Sequence, residues 1–326
     1  MTTVIDTKRV TGRNGEVVTK NVIEVQGLTK SYGRSRGIID VSFNVAQGEV
    51  FGFLGPNGAG KTTTIRTLMA LLRADSGAAR IAGLDCWDRS IEVKRIVGYV
   101  PGEPSLDPNL TGGQILEYFA NLRGGVDRTY LKSLIARLDL DTTRKFRHYS
   151  SGNKRKVVLI QAFMHRPQLL VLDEPTNGLD PLNQQVFDAM VREAREEGRT
   201  VFLSSHVLSE VEKNCTRVGI IREGRLVRIG GIAELKDIKH SELVITFAGD
   251  APASAFERIA GVTAVERLQN GHALRITVQG SVDPVVKAAA QYPIVSLQSA
   301  EPSLEDIFLR YYEPGESGEE TPRDDA

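Results

Sequence analysis

The chain has 326 residues, is 41% hydrophobic, and balances 41 basic against 41 acidic side chains. That length leaves room for about two domains with substantial cores, and zero net charge argues against a dedicated nucleic-acid or anionic-membrane binder. Two cysteines, Cys86 and Cys215, supply neither a disulfide framework nor metal-ligand spacing and read as buried or incidental thiols. The polar stretch 1–21, with turn chemistry at Gly12-Arg13-Asn14-Gly15-Glu16, reads as a flexible extension. It lacks the apolar core of a signal peptide, and no run in the chain approaches the roughly 20 apolar residues that span a bilayer.

A first domain is expected over 22–235. It opens with antiparallel strands near 22–26 and 41–45 that continue into a parallel sheet. The apolar run 49–54 reads as a buried strand and 63–72 as a helix. Between them, Gly55-Pro56-Asn57-Gly58-Ala59-Gly60-Lys61-Thr62 matches G-x-x-x-x-G-K-[ST] at every fixed position. Glycines there let backbone N–H groups curl around anionic oxygens, and the helix N-terminus adds partial positive charge. Lys61 is expected to reach the β- and γ-phosphates of a nucleoside triphosphate, Thr62 to place its hydroxyl on Mg²⁺, and Thr63 to join the phosphate contacts.

Helical patterns follow at 114–122 and 130–140, entered through Asp107-Pro108-Asn109-Leu110-Thr111-Gly112-Gly113. Ser150 and Gly152 sit where an N-cap and a bare first turn open a mostly buried helix, a second anion site. The run Leu169-Leu170-Val171-Leu172 ends in Asp173-Glu174, the pattern of a strand buried on both faces. Strand alternation sends the two carboxylates to opposite sides. Asp173 is expected to hold Mg²⁺, directly or through water, and Glu174 to polarise the attacking water. Another apolar strand ends at His206, and 217–221 with 225–229 flank Arg222-Glu223-Gly224 as a hairpin.

Tyr149-Ser150-Ser151-Gly152-Asn153 resembles the Leu-Ser-Gly-Gly-Gln signature of ATP-binding-cassette (ABC) proteins, keeping the serine and the second glycine. Gly178-Leu179-Asp180 resembles that family's D-loop, and His206 falls where the family carries its switch histidine. The resemblance implies a P-loop α/β fold of ABC type with a helical subdomain over 105–148, and ATP with Mg²⁺ as ligands. It implies head-to-tail pairing, in a homodimer or with a paralogous cassette, that sandwiches ATP between one phosphate loop and the other signature. Ser150 and Gly152 then contact the partner's γ-phosphate, His206 bridges γ-phosphate and water, Asp180 couples the two sites, and Tyr32 stacks on adenine. One departure stands out: Gly102 occupies the position of the family's Mg²⁺-contacting glutamine, leaving Glu103 or a water to fill it.

A second domain is expected over 236–312 in the order strand, helix, strand, strand, helix, strand. The elements are 242–247, 253–260, 262–268, 272–278, 283–291 and 294–297, with Asn270-Gly271 as the hairpin turn and a last helix at 303–312. This α+β, ferredoxin-like domain offers no glycine loop or carboxylate pair and reads as a dimerisation or regulatory module. Glu301-Pro302-Ser303-Leu304-Glu305-Asp306-Ile307-Phe308 resembles the C-terminal extension of bacterial drug- and antibiotic-exporter ATPases, and 313–326 reads as a disordered acidic tail. The resemblance implies an ATPase subunit of an ABC-2-type exporter of hydrophobic drugs, natural products or lipids. It would sit peripherally on the cytoplasmic membrane face, beneath a separate integral-membrane permease, with no nucleic-acid partner. The alternative is a soluble ABC ATPase that remodels a nucleic-acid, ribosomal or protein complex.

Overall fold

The computed structural model describes residues 10–11, 17–18, 20–33, 35–236, 240–268 and 271–300. The helix expected at 303–312, the acidic tail, Asn270 of the hairpin turn and most of 1–21 lie outside the described residues. Within that extension, β1 (Val10–Thr11) and β2 (Val17–Val18) pair antiparallel, so it holds a two-stranded ladder that polar composition did not announce. The chain divides into two compact units, Met1–Gly230 and Gly231–Ala326, a boundary that falls ahead of the expected Leu235.

In the first unit the described elements run β3 (Asn21–Tyr32), β4 (Ser35–Ala46), β5 (Val50–Leu54), α1 (Lys61–Leu68), β6 (Ser76–Ile81), β7 (Leu84–Asp85), α2 (Ser90–Ile96) and β8 (Val97–Val100). There follow α3 (Gly112–Leu122), α4 (Arg128–Arg137), α5 (Ser151–Phe163), β9 (Leu169–Asp173), α6 (Pro181–Glu196), β10 (Thr200–Ser205), α7 (Leu208–Asn214), β11 (Arg217–Arg222) and β12 (Arg225–Gly231).

Two sheets form. The larger has the order β12-β11-β5-β10-β9-β8, with β11, β5, β10, β9 and β8 mutually parallel. Every residue of β5, β9 and β10 is buried, because covered faces on both sides demand the continuous apolar runs seen in the sequence. The smaller sheet, β4-β3-β6-β7, is antiparallel. The opening strands, expected to continue into the parallel sheet, therefore belong to a separate layer. The layers meet through rings: Phe43 of β4 stacks on Phe51 and Phe202 at centroid distances of 5.7 Å and lies 5.5 Å from Phe53. Off-centred aromatic packing of this kind adds stability beyond the area it buries.

The segment between the sheets' strands is helical as expected. Thr111 caps α3 reciprocally: Gln114 N donates to Thr111 Oγ1 at 3.2 Å, and Thr111 N donates to Gln114 Oε1 at 2.9 Å.

The second unit contains α8 (Ile232–Lys236), β13 (His240–Phe247), α9 (Ala253–Phe256), β14 (Val262–Leu268), β15 (Ala273–Gln279), α10 (Asp283–Ala289) and β16 (Ile294–Ala300). Its antiparallel sheet has the order β14-β15-β13-β16, the ferredoxin-like arrangement. Alternation selects one face: Leu243, Ile245 and Phe247 of β13 join Leu274, Ile276 and Val278 of β15 in a core closed by Phe256 and Val285. Helix α9 is one turn long where 253–260 was expected, since the chain turns through to Gly261, at φ 93°.

Candidate functional site

The parallel register brings three strand ends level: Ser204 pairs with Asp173, and Ser205 with Leu54. The residues that follow, Gly55, Glu174 and His206, therefore leave the sheet side by side at its carboxyl edge, where open α/β sheets bind ligands. A cavity of about 230 Å³ opens there, lined by Gly37, Asn57, Gly58, Gly60, Lys61, Thr62, Thr63 and Glu174.

The loop is shaped by its own backbone. Gly60 caps α1 in the left-handed region at φ 112°, and Ala59 N donates to Pro56 O at 3.2 Å. Lys61 is 5% exposed and folds back, donating from Nζ to Gly55 O at 2.5 Å and Pro56 O at 3.1 Å. The same Nζ lies 3.1 Å from Glu174 Oε1. The ammonium is thus held at the cavity wall by two loop carbonyls and a carboxylate.

Glu174 departs from the expected alternation. It sits at φ 48°, outside β9, and its N–H donates to Ser204 O and Ser204 Oγ, each at 3.2 Å. A left-handed conformation is costly for a residue with a Cβ and persists only where surroundings impose it. Here the hydroxyl and carbonyl of a neighbouring strand do so, and they turn the carboxylate toward Lys61. Its other oxygen, Oε2, lies 2.8 Å from His206 Nδ1. His206 thus touches Glu174 directly, a contact the sequence reading did not include, while the ring itself stands outside the cavity wall.

Asp173 is fully buried. Ser204 Oγ donates to its Oδ1 at 2.7 Å, while Oδ2 has no hydrogen-bond partner among the described residues. A buried carboxylate oxygen left open costs free energy unless something fills it, and a hard divalent cation is the ligand such an oxygen suits. Gly102 backs onto this atom: a Cβ there would stand 3.0 Å from Asp173 Oδ2. Glu103 is exposed and does not line the cavity.

Other predicted residues stand apart from the cavity wall. Ser150 is the N-cap of α5, accepting from Asn153 N at 3.3 Å, as its sequence position implied. Gly152 presses on the turn after β9, since a Cβ there would meet Gly178 O at 2.6 Å. Asp180 caps α6: its carboxylate accepts from Asn183 N at 2.9 Å and Asn183 Nδ2 at 2.6 Å, bonds that pull its pKa below the usual carboxylate value. Tyr32, at the end of β3, is 45% exposed. None of these four lines the phosphate cavity. Both cysteines are buried, and burial pushes the Cys86 thiol up to about 12.

Sequence reasoning missed Ser204, which serves the Asp173 carboxylate and the Glu174 backbone N–H, and Glu210, whose carboxylate accepts from Thr176 Oγ1 at 2.5 Å and Ser205 Oγ at 2.8 Å. It also missed Arg155. That residue's signal was no more than its place in the basic run Lys154-Arg155-Lys156 at the head of a mostly apolar helix.

Residues 38–177 match the family model for ABC transporters, and 230–312 match that for the C-terminal domain of DrrA1-3-like ATP-binding proteins. The uncharacterized ABC transporter ATP-binding protein YhcH of Bacillus subtilis (strain 168) is 34% identical over 92% of this chain and 98% of its own. This chain belongs to the ABC transporter ATP-binding protein family. It is an ATPase cassette of ABC type, with the accessory domain found in DrrA-like members. The bacitracin transport ATP-binding protein BcrA of Enterococcus faecalis is 32% identical, over 90% of this chain and 97% of that one. Among solved structures, an ATP-binding subunit of an ABC transporter superposes with a TM-score of 0.61 at 30% identity, covering 66% of this chain and 92% of that chain.

Proposed function

We propose that this ABC ATPase powers an exporter of hydrophobic natural products or drugs, working as a dimer beneath a separate membrane subunit. The observation that carries the catalytic half is the run of contacts from Lys61 through Glu174 to His206, with Lys61 and Glu174 lining one cavity.

In this reading Lys61 exchanges its two loop carbonyls for the β- and γ-phosphates of ATP. Thr62 and Asp173 hold Mg²⁺, which neutralises phosphate charge when bound. Glu174 takes hydrogen-bonding partnership with the attacking water, polarising it, work of about 10²–10⁴ in rate. His206 keeps that carboxylate oriented and, being 37% exposed at its side chain, remains accessible to the γ-phosphate. Tyr32 stacks on adenine. Ser150 and Gly152 serve the nucleotide of a partner cassette, which accords with their absence from this chain's own cavity wall. Asp180, locked as a helix cap, couples the two sites.

The membrane half rests on similarity to a bacitracin transport protein across nearly the whole chain, the second unit included. A further support is an apolar cleft of about 270 Å³ beside the Gly102 loop, lined by Met69, Leu71, Tyr99, Pro101, Leu106 and Phe119 among others. It suits a short cytoplasmic helix of a permease. Among the described residues no helix is long and apolar enough to cross a membrane.

The test is recovery of partners with the Glu174→Gln protein and ATP from detergent-solubilised membranes of the source organism. A multi-spanning membrane protein, lost when Leu71 and Phe119 are changed to Asp, is expected. Ribosomal or purely soluble partners would refute the exporter reading in favour of a remodelling ATPase.

A further inference from the structure

Arg155 lies in the second turn of α5 and is 4% exposed. A buried guanidinium ordinarily faces a carboxylate, yet this one hydrogen-bonds only backbone carbonyls among the described residues. Nη1 donates to Pro101 O at 2.6 Å, Nη2 to Gly102 O at 2.5 Å, and Nε to Asn177 O at 3.3 Å. The three carbonyls belong to two loops. One follows β8 and rests Gly102 against Asp173 Oδ2. The other follows β9, where Asn177 N donates back to Glu174 O at 3.2 Å. One planar fork therefore grips the backbone behind each carboxylate of the site.

The chain has a particular need for this grip. Gly102 has no side chain with which to anchor its own loop, and the loop must nonetheless stay close enough to shield Asp173 without covering its open oxygen. Burial lowers the pKa of the guanidinium, and the negative charges of Asp173 and Glu174 offset that penalty in part, while the carbonyls satisfy its donors. Because Ser150 caps α5 and Gly152 lies in its first turn, the fork also ties that end of the helix to the two loops.

We propose that Arg155 is a positioning residue for the ATPase reaction, holding the 101–102 and 174–177 backbones so that Asp173 keeps its cation-binding oxygen open and Glu174 stays aimed into the cavity. The proposal rests on the roles given above to Asp173 and Glu174. A lysine cannot replace the fork, since its ammonium is a point charge and cannot span both loops.

The experiment uses the full chain with Arg155→Met and Arg155→Lys, measuring turnover, melting temperature, and ATP affinity with Mg²⁺ and with EDTA. Expected for Arg155→Met is at least a tenfold fall in kcat, an unchanged affinity for ATP in EDTA, and loss of most of the affinity that Mg²⁺ adds. Arg155→Lys should fall between Met and the parent. Unchanged kcat and Mg²⁺ enhancement would overturn the proposal. So would affinity lost equally with and without Mg²⁺ alongside a lowered melting temperature, the mark of general packing damage. If Arg155→Met does not fold, Arg155→Lys is read against the same outcomes. Glu174→Gln run in parallel separates the two levels: if it leaves turnover intact, the site reading itself falls. If it abolishes turnover while the Arg155 variants keep theirs, only the positioning role falls.

Discussion

The two units of this chain are both α/β layers over an apolar core, but they treat polar groups in opposite ways. Among the described residues, every buried polar or charged residue belongs to the first unit, from Lys61 and Thr64 through Arg155, Asp173 and Glu174 to Ser205. So does every non-glycine residue with positive φ, Glu174 included. The second unit buries an unbroken apolar set, Leu243, Ile245, Phe247, Phe256, Leu274, Ile276 and Val278 among them. Buried charges and strained backbone lower stability unless their surroundings compensate. In the first unit Lys61, Asp173, Glu174 and Ser204 set several of these groups in contact with one another at or beside the phosphate cavity.

Glu174→Gln is the largest expected break in this contrast. It should lower kcat by about 10²–10⁴ while ATP binding, read by a fluorescent analogue, persists. Phe256→Ala should act in the reverse sense. Removing a fully buried ring is expected to cost about 3–5 kcal/mol of second-unit stability, followed by hydrogen exchange. Basal ATP turnover should hold. A fall in turnover matching that of a first-unit core variant would erase the division of labour.

Acid separates the units by a different route. Burial, helped by the neighbouring Arg123 charge, lowers the His165 pKa from 6.5 to about 4 in the folded chain. Above pH 6.5 the ring is neutral in both states and its contribution is fully present. Between about 6.5 and about 4 only the unfolded chain takes up the proton, so stability falls as pH falls, by about 3 kcal/mol across the window. His165→Gln should flatten the first unit's melting profile between these pH values. A profile as steep as the parent's would assign the acid sensitivity elsewhere.

The contrast also explains what could be read from the sequence. Elements set by local pattern were legible: the apolar runs of β5, β9 and β10, the phosphate loop, Ser150 as a helix cap, and the strand-helix order of the second unit. Features imposed by distant partners were not. The turn of Glu174 into the cavity depends on Ser204, 30 positions away, and Arg155 meets carbonyls 22, 53 and 54 positions distant. The separation of β3 and β4 from the parallel sheet depends on which strands pair, a choice that alternation within a strand does not contain. The motif singled out Lys61, but its place as the first residue of α1, two positions ahead of the expected helix start, and its hold on Gly55 O and Pro56 O belong to the folded geometry.

The smallest expected effect sharpens the contrast most finely, because it concerns a single hydroxyl. Ser204 Oγ donates to Asp173 Oδ1 and accepts from Glu174 N, so Ser204→Ala removes the partner of one buried carboxylate oxygen while the other is already open. The cost should be about 1–3 kcal/mol of nucleotide-free stability. A cation at Asp173 would supply the missing partner, so Mg²⁺ with ATP should raise the melting temperature of Ser204→Ala more than that of the parent. The left-handed turn at Glu174 keeps its second anchor, Ser204 O, so turnover should fall less than it does in Glu174→Gln. A variant that is equally destabilised with and without Mg²⁺-ATP would mean that Asp173 relies on Ser204 alone, and its open oxygen would then need an occupant other than a cation.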